Sequence, residues 1–268
     1  MSYQTLLLET DDATGVATLS LDRPTARNAF SAQLLRDLRA ALADLHARPA
    51  VRALVITGRG ASFCAGADLS GQTGGTREQI AEAGAASQRD WINPIVTDLH
   101  ALPFPTVAAV NGSAAGAGAS LALACDLVIA ARSAFFLFPF MPRLGIVPDM
   151  GATWFLPRLL GSARAMALSL VGDRLPAAQA AEWGLIWRCV DDATLMDEAR
   201  SVAQRVARAP AHAALELRRA FAASAARDLP GQLDYEVERQ RELLGTAEFE
   251  EGVRSFLEKR EPRFPPRA

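Results

Sequence analysis

The sequence predicts an α/β protein built in layers, and three features carry that prediction. Short β-branched runs alternate with helix-compatible segments, strand pairs and then a helix, about three times over without detectable internal repetition. From Ser162 onward the strand signal fades and alanine, leucine, glutamate and arginine dominate. Half of the 268 residues are hydrophobic and 22% are charged, which suits a globular chain with a sizeable core.

Leu6 to Glu9 and Val16 to Leu21, separated by Asp11, Asp12 and Gly15, read as an antiparallel hairpin. Ser31 is placed to N-cap a helix carrying Leu34, Leu35, Leu38, Leu42 and Leu45 on one face. Val51 to Thr57 reads as a buried strand, and one helix is expected from Glu78 to about Leu102, stopped by Pro103 and Pro105. Thr106 to Val110 is the next strand, Gly116 to Ala124 a helix and Leu127 to Ala131 another strand. Helices are then expected at Leu195 to Arg208, Ala213 to Ala226 and Leu233 to Leu244, with joints at Pro210 and Pro230-Gly231. The division expected is a core over residues 1–200 and a mostly helical C-terminal region over 201–268, whose end from Pro262 is expected to fray.

A formal net charge of −2 gives no reason to expect nucleic acid or an anionic membrane as partner. Cys64, Cys125 and Cys189 are odd in number and lack metal-ligand spacing, so they read as reduced and mostly buried, in keeping with a cytoplasmic protein. Ser2 to Thr10 lacks the basic stretch and long apolar run of a signal peptide. The apolar tract from Ala114 to Ala131 is broken by Gly116, Gly118 and Asp126 and is not read as transmembrane. His46, His100 and His212 fall in ordinary helical segments and form no metal pattern. Trp154, Phe155, Trp183 and Trp187 are most simply core.

Two loops of glycine and alanine stand out: FCAGADL (63–69) and NGSAAGAGAS (111–120). Each follows a strand run, and side chains of one carbon or none let a ligand approach the backbone. Two such loops can aim two N–H groups at one oxygen, as an oxyanion requires; close helix–strand packing selects the same residues. Asp149, after Pro148 and before the helix-compatible Met150 to Leu156, reads either as a helix N-cap or as a catalytic acid. An N-capping carboxylate would be stabilised as the anion, unless a dry pocket raised its basicity. Phe135, Phe136, Phe138, Phe140 and Met141 offer such a wall, or a core strand edge. Asp68 reads as a turn residue, and Cys64 as a packed thiol with no histidine near to activate it.

In these segments the chain resembles the crotonase (enoyl-CoA hydratase/isomerase) superfamily: RPTARNAF (23–30), FCAGADL, NGSAAGAGASLALACD (111–126) and LGIVPDMGATW (144–154). WGLIWRCVDD (183–192) and FLEKREPRF (256–264) look most like its phenylacetyl-CoA ring-epoxide isomerases. The resemblance implies a spiral of ββα units, with C-terminal helices that build a homo-trimer or a hexamer formed as a dimer of trimers. It implies an acyl-CoA thioester as ligand, with no cofactor besides the coenzyme A that the substrate carries. Carried over by position, the N–H groups of Ala67 and Ala117 would hold the thioester oxygen. Ala29, Ala65, Asp68 and Leu69 would line the bent CoA, Arg27 would face a phosphate, and Phe256 and Lys259 would reach the nucleotide end, often from a neighbouring subunit.

Family hydratases use two carboxylates on a water. The first position falls at Ser120 here, and the second near Met141, in a stretch that looks one residue longer than in relatives. No Asp or Glu occurs from Ser133 to Pro148. Efficient hydration is therefore not expected. Asp149 remains as a shuttle that takes a proton from one carbon of a thioester enolate and returns it to another. The reactions implied are ring epoxide to oxepin or a shift of a double bond. Thioester hydrolysis, decarboxylation and a non-catalytic acyl-CoA-binding subunit are the alternatives. Gly71 to Gly75 is expected to be a mobile lid, and the acyl-shaping residues are expected within 71–95.

Overall fold

The computed structural model describes residues 3–70 and 74–265, and its elements follow the strand–strand–helix rhythm. Strands β1 (Leu6–Asp11) and β2 (Val16–Leu21) form the expected hairpin. Ser31 caps helix α1 (Ala32–His46) by accepting a hydrogen bond from Leu34 N, and the five predicted leucines are all buried. Burying each leucine stabilises by roughly 1.5–3 kcal/mol before entropy is counted.

Then come β3 (Ala53–Gly58), β4 (Ser62–Cys64), α2 (Arg77–Ser87) and α3 (Asn93–Ala101). The helix expected from Glu78 is thus divided by a π turn over Gln88–Ile92, with Pro94 in the first turn of α3, where its missing N–H is harmless. The third unit is β5 (Thr106–Val110), β6 (Ser113–Ala115) and α4 (Ala117–Leu123). The fourth is β7 (Leu127–Ala131), β8 (Phe135–Leu137) and α5 (Ala152–Val171), the last broken at Gly161. There follow β9 (Leu175–Pro176), α6 (Ala177–Glu182), β10 (Arg188–Val190), α7 (Leu195–Ala207), α8 (Ala213–Ser224), α9 (Leu229–Leu243) and α10 (Ala247–Leu257).

The strands divide between two sheets. One has the order β1-β2-β3-β5-β7-β10 and is parallel apart from the opening hairpin. The other has the order β4-β6-β8-β9 and is parallel apart from β8–β9. In the second, third and fourth units the first strand joins the large sheet and the second strand the small one. β2, β3 and β5 are buried along their whole length, as a parallel sheet covered on both faces requires. Such three-residue strands as β4, β6 and β8 carry no readable alternation: the sequence shows β4 and β6 only as the edges of glycine loops, and β8 only as part of a phenylalanine-rich run read as an apolar wall or a core strand edge.

Helix α7 covers the sheet, packing on β3 and β5 through a buried face that includes Ala199, Val202 and Ala203. Residue 200, where the division is expected, falls inside α7. By contrast, α8 and α9 bury no residue and α10 buries only Ser255. Polar clamps hold them. Arg218 on α8 is bidentate to Asp126 (2.7 and 2.6 Å) and donates to the His100, Leu102 and Phe104 carbonyls. Arg239 on α9 reaches Glu216 on α8 at 2.9 Å. The segment from Pro262 does not fray as expected as far as Pro265: Arg263 N donates to Glu251 and Arg52 to the Pro265 carbonyl.

Trp154 and Trp187 correct the core expectation. They are 45% and 41% exposed, each under a guanidinium at 4.1 Å (Arg158 and Arg188), an amphipathic ring serving as a cation platform at the surface. Phe155 is buried, and Trp183 packs half-buried against the core. Among the described residues no helix is long and apolar enough to cross a membrane. Of the expected lid, Gly71 to Thr73 lie outside the described residues.

Candidate active site

The two glycine loops meet. Gly66 has φ +88°, and a Cβ there would fall 2.7 Å from the Ala115 carbonyl oxygen and 3.2 Å from the Ala117 nitrogen. Only a residue without a side chain lets the backbones approach this closely. Phe30 N donates to the Gly66 carbonyl at 2.7 Å, and Asp68 N to the Phe30 carbonyl at 3.1 Å, so residue 30 bridges residue 67 in parallel register. Within one trans peptide the carbonyl and the N–H point in opposite directions. Fastening the Gly66 carbonyl to Phe30 thus turns the Ala67 N–H away from it.

The second loop uses the same device. The Gly116 carbonyl accepts from Ala119 N (3.0 Å), Ser120 N (3.2 Å) and the Ser120 hydroxyl (3.3 Å), which turns the N–H of Ala117 the other way. Ala117 is the first residue of α4, where the helix offers no acceptor. Among the described residues neither the Ala67 nor the Ala117 N–H donates to a protein acceptor. Two free amides on touching loops are what a carbonyl developing negative charge needs.

Asp149 does not cap a helix. The N-cap of α5 is Gly151, in a left-handed conformation, and no side chain bonds to the helix start. Asp149 Oδ1 is buried and has no hydrogen-bond partner among the described residues. Burial pushes the carboxyl up from its ordinary value near 3.8 to about 6, against a smaller lowering contribution from its own backbone N–H. Its neighbour Met150 is buried at φ +51°, a strained conformation for a residue with a side chain. The segment leading to Asp149 begins with a π turn over Phe140–Leu144, the conformation in which a helix absorbs one extra residue. Phe140 opens that turn with its ring 3.7 Å from the Cβ position of Gly116, against the second loop. Of the expected apolar wall, Phe136 and Phe138 belong to the core, Phe135 lies under Arg174, and Met141 is partly exposed.

Ser120, where the resemblance places a hydratase's first acid, is fully buried, and its hydroxyl turns back on the helix to the Gly116 carbonyl. Cys64 is a packed thiol: Sγ lies 3.1 Å from the Asn28 carbonyl, and burial pushes the thiol up to about 12. Asp68 is a turn residue whose Oδ1 accepts from Ser70 N (3.2 Å) and Oγ (2.6 Å), while Oδ2 meets Arg23 at 3.1 Å. Those bonds, Ser70 first and then Arg23, hold its carboxyl below the usual range. Its side chain is thus engaged within the protein.

Ala29 and Ala65 flank the loop contact; Ala65 N donates to the carbonyl of Arg27, itself an exposed residue at φ +52°. Leu69 is exposed beside them. Phe256 and Lys259 lie elsewhere, at the end of α10. Phe256 is 82% exposed and lines a cavity of about 480 Å³ that holds none of the loop residues, and Lys259 is the left-handed residue that ends the helix. Arg23 and Asn28 were missed in the sequence. Asn28 is fully buried at φ +57°, accepts from Arg23 N, and ties the Arg59 and Ser62 carbonyls. The readable signal was an asparagine, a residue that tolerates left-handed backbone, inside RPTARNAF.

The chain is similar to known proteins along nearly its whole length. Residues 11–267 match the enoyl-CoA hydratase/isomerase family. A 1,2-epoxyphenylacetyl-CoA isomerase of Escherichia coli is 44% identical over 93% of this chain and 95% of its own. A "probable enoyl-CoA hydratase" of Rhodobacter capsulatus is 43% identical over 98% of this chain and 99% of its own. Among solved structures, an enoyl-CoA hydratase from Polaromonas superposes with a TM-score of 0.89 at 31% identity, covering 97% of this chain and 99% of the other. With its paired free amides and two-sheet ββα architecture, the chain belongs to the enoyl-CoA hydratase/isomerase, or crotonase, family.

Proposed function

We propose that this protein is an acyl-CoA isomerase, with the ring epoxide of a phenylacetyl-CoA as its substrate. The observation that carries this reading is the solitary, desolvated carboxyl of Asp149 in a chain with serine at position 120 and no acid from 133 to 148. Addition of water, as the family performs it, uses two carboxylates; moving a proton needs one. The thioester carbonyl rests on the N–H groups of Ala67 and Ala117, which acidifies the adjacent carbon. The epoxide expands to the seven-membered oxepin as the C–C bond that it shares with the six-membered ring breaks and the ring double bonds shift. Asp149 then removes a proton from the methylene beside the thioester carbonyl, the electron pair passes through the enolate into the oxepin double bonds, and the same carboxyl returns the proton to a ring carbon. Atoms and electrons balance within the substrate, so no cofactor is consumed. A carboxyl with a value of about 6 suits both halves of the shuttle near neutral pH. The similarity to the E. coli epoxyphenylacetyl-CoA isomerase supports the aromatic substrate.

Hydration is the second reading, favoured by the name of the R. capsulatus relative. Incubation with a panel of enoyl- and aryl-CoA esters separates the two by product mass. Isomerisation leaves mass unchanged, hydration adds one water, and thioester hydrolysis releases free CoA. Rapid water addition to crotonyl-CoA would defeat the proposal.

The working assembly is a homo-trimer or a dimer of trimers. Phe221, Leu229, Val237, Phe256 and Leu257 on α8–α10, each more than 60% exposed, support it as an apolar surface in need of cover. In that assembly Phe256 and Lys259 serve a neighbouring subunit's CoA. Sedimentation velocity reads the assembly directly, and a monomer at micromolar concentration would exclude it.

A further inference from the structure

Arg23 is not among the groups assigned above to the thioester, yet its guanidinium heads a hydrogen-bonded series that ends at the Ala67 N–H. Arg23 Nη1 donates to the Ala29 carbonyl. That carbonyl shares a peptide unit with the Phe30 N–H, which donates to the Gly66 carbonyl at 2.7 Å. The Gly66 carbonyl shares its own peptide unit with the Ala67 N–H. Two planar peptide groups therefore stand in line between a cation and the first oxyanion donor. Each group in such a series polarises the next, strengthening each bond by roughly 10–30%. We infer that Arg23 is a positioning residue that aims and strengthens the Ala67 N–H through the Ala29–Phe30 and Gly66–Ala67 peptides. The inference rests on the two-amide reading of the proposed function.

The guanidinium is held in place on both sides. Its other nitrogen, Nη2, pairs with Asp68 at 3.1 Å, the two side chains being 23% and 22% exposed. Its backbone N–H is taken by buried Asn28 at 2.9 Å. Asp68 is a branch off the series and not a link in it: its charge opposes that of Arg23 and so weakens what reaches Ala67. A brace and a relay thus make opposite predictions for Asp68.

The test is infrared difference spectroscopy of acetyl-CoA, carbon-13 labelled at the carbonyl, bound to the full chain. In the wild type the carbonyl stretch falls below its value for free acetyl-CoA. Arg23→Gln reduces that fall by roughly 10–30% for each of the two relayed bonds while affinity for acetyl-CoA changes little. Arg23→Lys, which keeps the charge without the fork, lies between. Asp68→Asn leaves the fall unchanged or deepens it. A full downshift in Arg23→Gln, or a loss in Asp68→Asn equal to that in Arg23→Gln, overturns the inference. Where Arg23→Gln does not fold, Arg23→Lys and Asp68→Asn decide by the same criterion. A wild type that shows no downshift overturns the two-amide reading itself, and is thereby distinguished from failure of the relay alone.

Discussion

Replacing Asp149 by asparagine should cost the protein its activity and make it more stable. In the fold the carboxyl titrates at about 6, against 3.8 for its ordinary value, because burial disfavours the charged form. The direction is opposite to that of a carboxylate in a salt bridge. Below pH 3.8 the group is neutral in both states and contributes nothing. Between 3.8 and 6 the unfolded chain ionises first, so stability falls as pH rises. Above about 6 both states are charged and the penalty is complete. Its ceiling is about 3 kcal/mol, and contact with solvent reduces this to about 1–3 kcal/mol. For a chain of this size that is roughly 2–10 °C in Tm. The neutral amide escapes the penalty, although the oxygen replacing Oδ1 stays without a partner. Asp149→Asn should therefore melt higher than the wild type at pH 7.5, and the gain should shrink toward zero at pH 4. Isomerisation should fall about 10²- to 10⁴-fold as the base is lost, and the wild-type rate should rise with pH through about 6. Scanning calorimetry at the two pH values, alongside turnover, reads both effects. A Tm gain independent of pH, a Tm loss at pH 7.5, or unchanged turnover would refute the reasoning.

Ala117→Pro removes the second oxyanion N–H at the first position of α4, where proline fits a helix; turnover should drop about 10²- to 10³-fold with the circular dichroism spectrum intact. Gly118→Ala places a Cβ 2.3 Å from the Cys64 carbonyl oxygen, so urea unfolding should show a loss of about 1–3 kcal/mol. Ser120→Glu puts a carboxyl into a fully buried site, and should destabilise the chain without producing rapid hydration of crotonyl-CoA, because the stretch around Met141, where the second hydratase acid is expected, still holds no Asp or Glu.

The sequence alone determined the parts of this protein that are written in local pattern. The leucine face of α1 with its Ser31 cap is readable from helical spacing, and the opening hairpin and the strands of the large sheet from short β-branched runs bounded by turn residues. The two small-residue loops were legible because backbone exposure leaves a composition behind, and the missing acids were legible because absence from a segment needs no coordinates. Tertiary structure decided what depends on contacts between distant residues. The sorting of β4, β6 and β8 into a second sheet is one case, since three residues carry no period of their own. The placement of α7 in the core is another, because an amphipathic helix does not state what it will cover. Whether Asp149 capped a helix or sat desolvated was also decided there, since solvent access is a property of the packed neighbours and not of the residue. Arg23 shows the same limit: its hydrogen bond to Ala29 is local, but the link onward to Gly66 exists only because the fold lays two chain segments side by side.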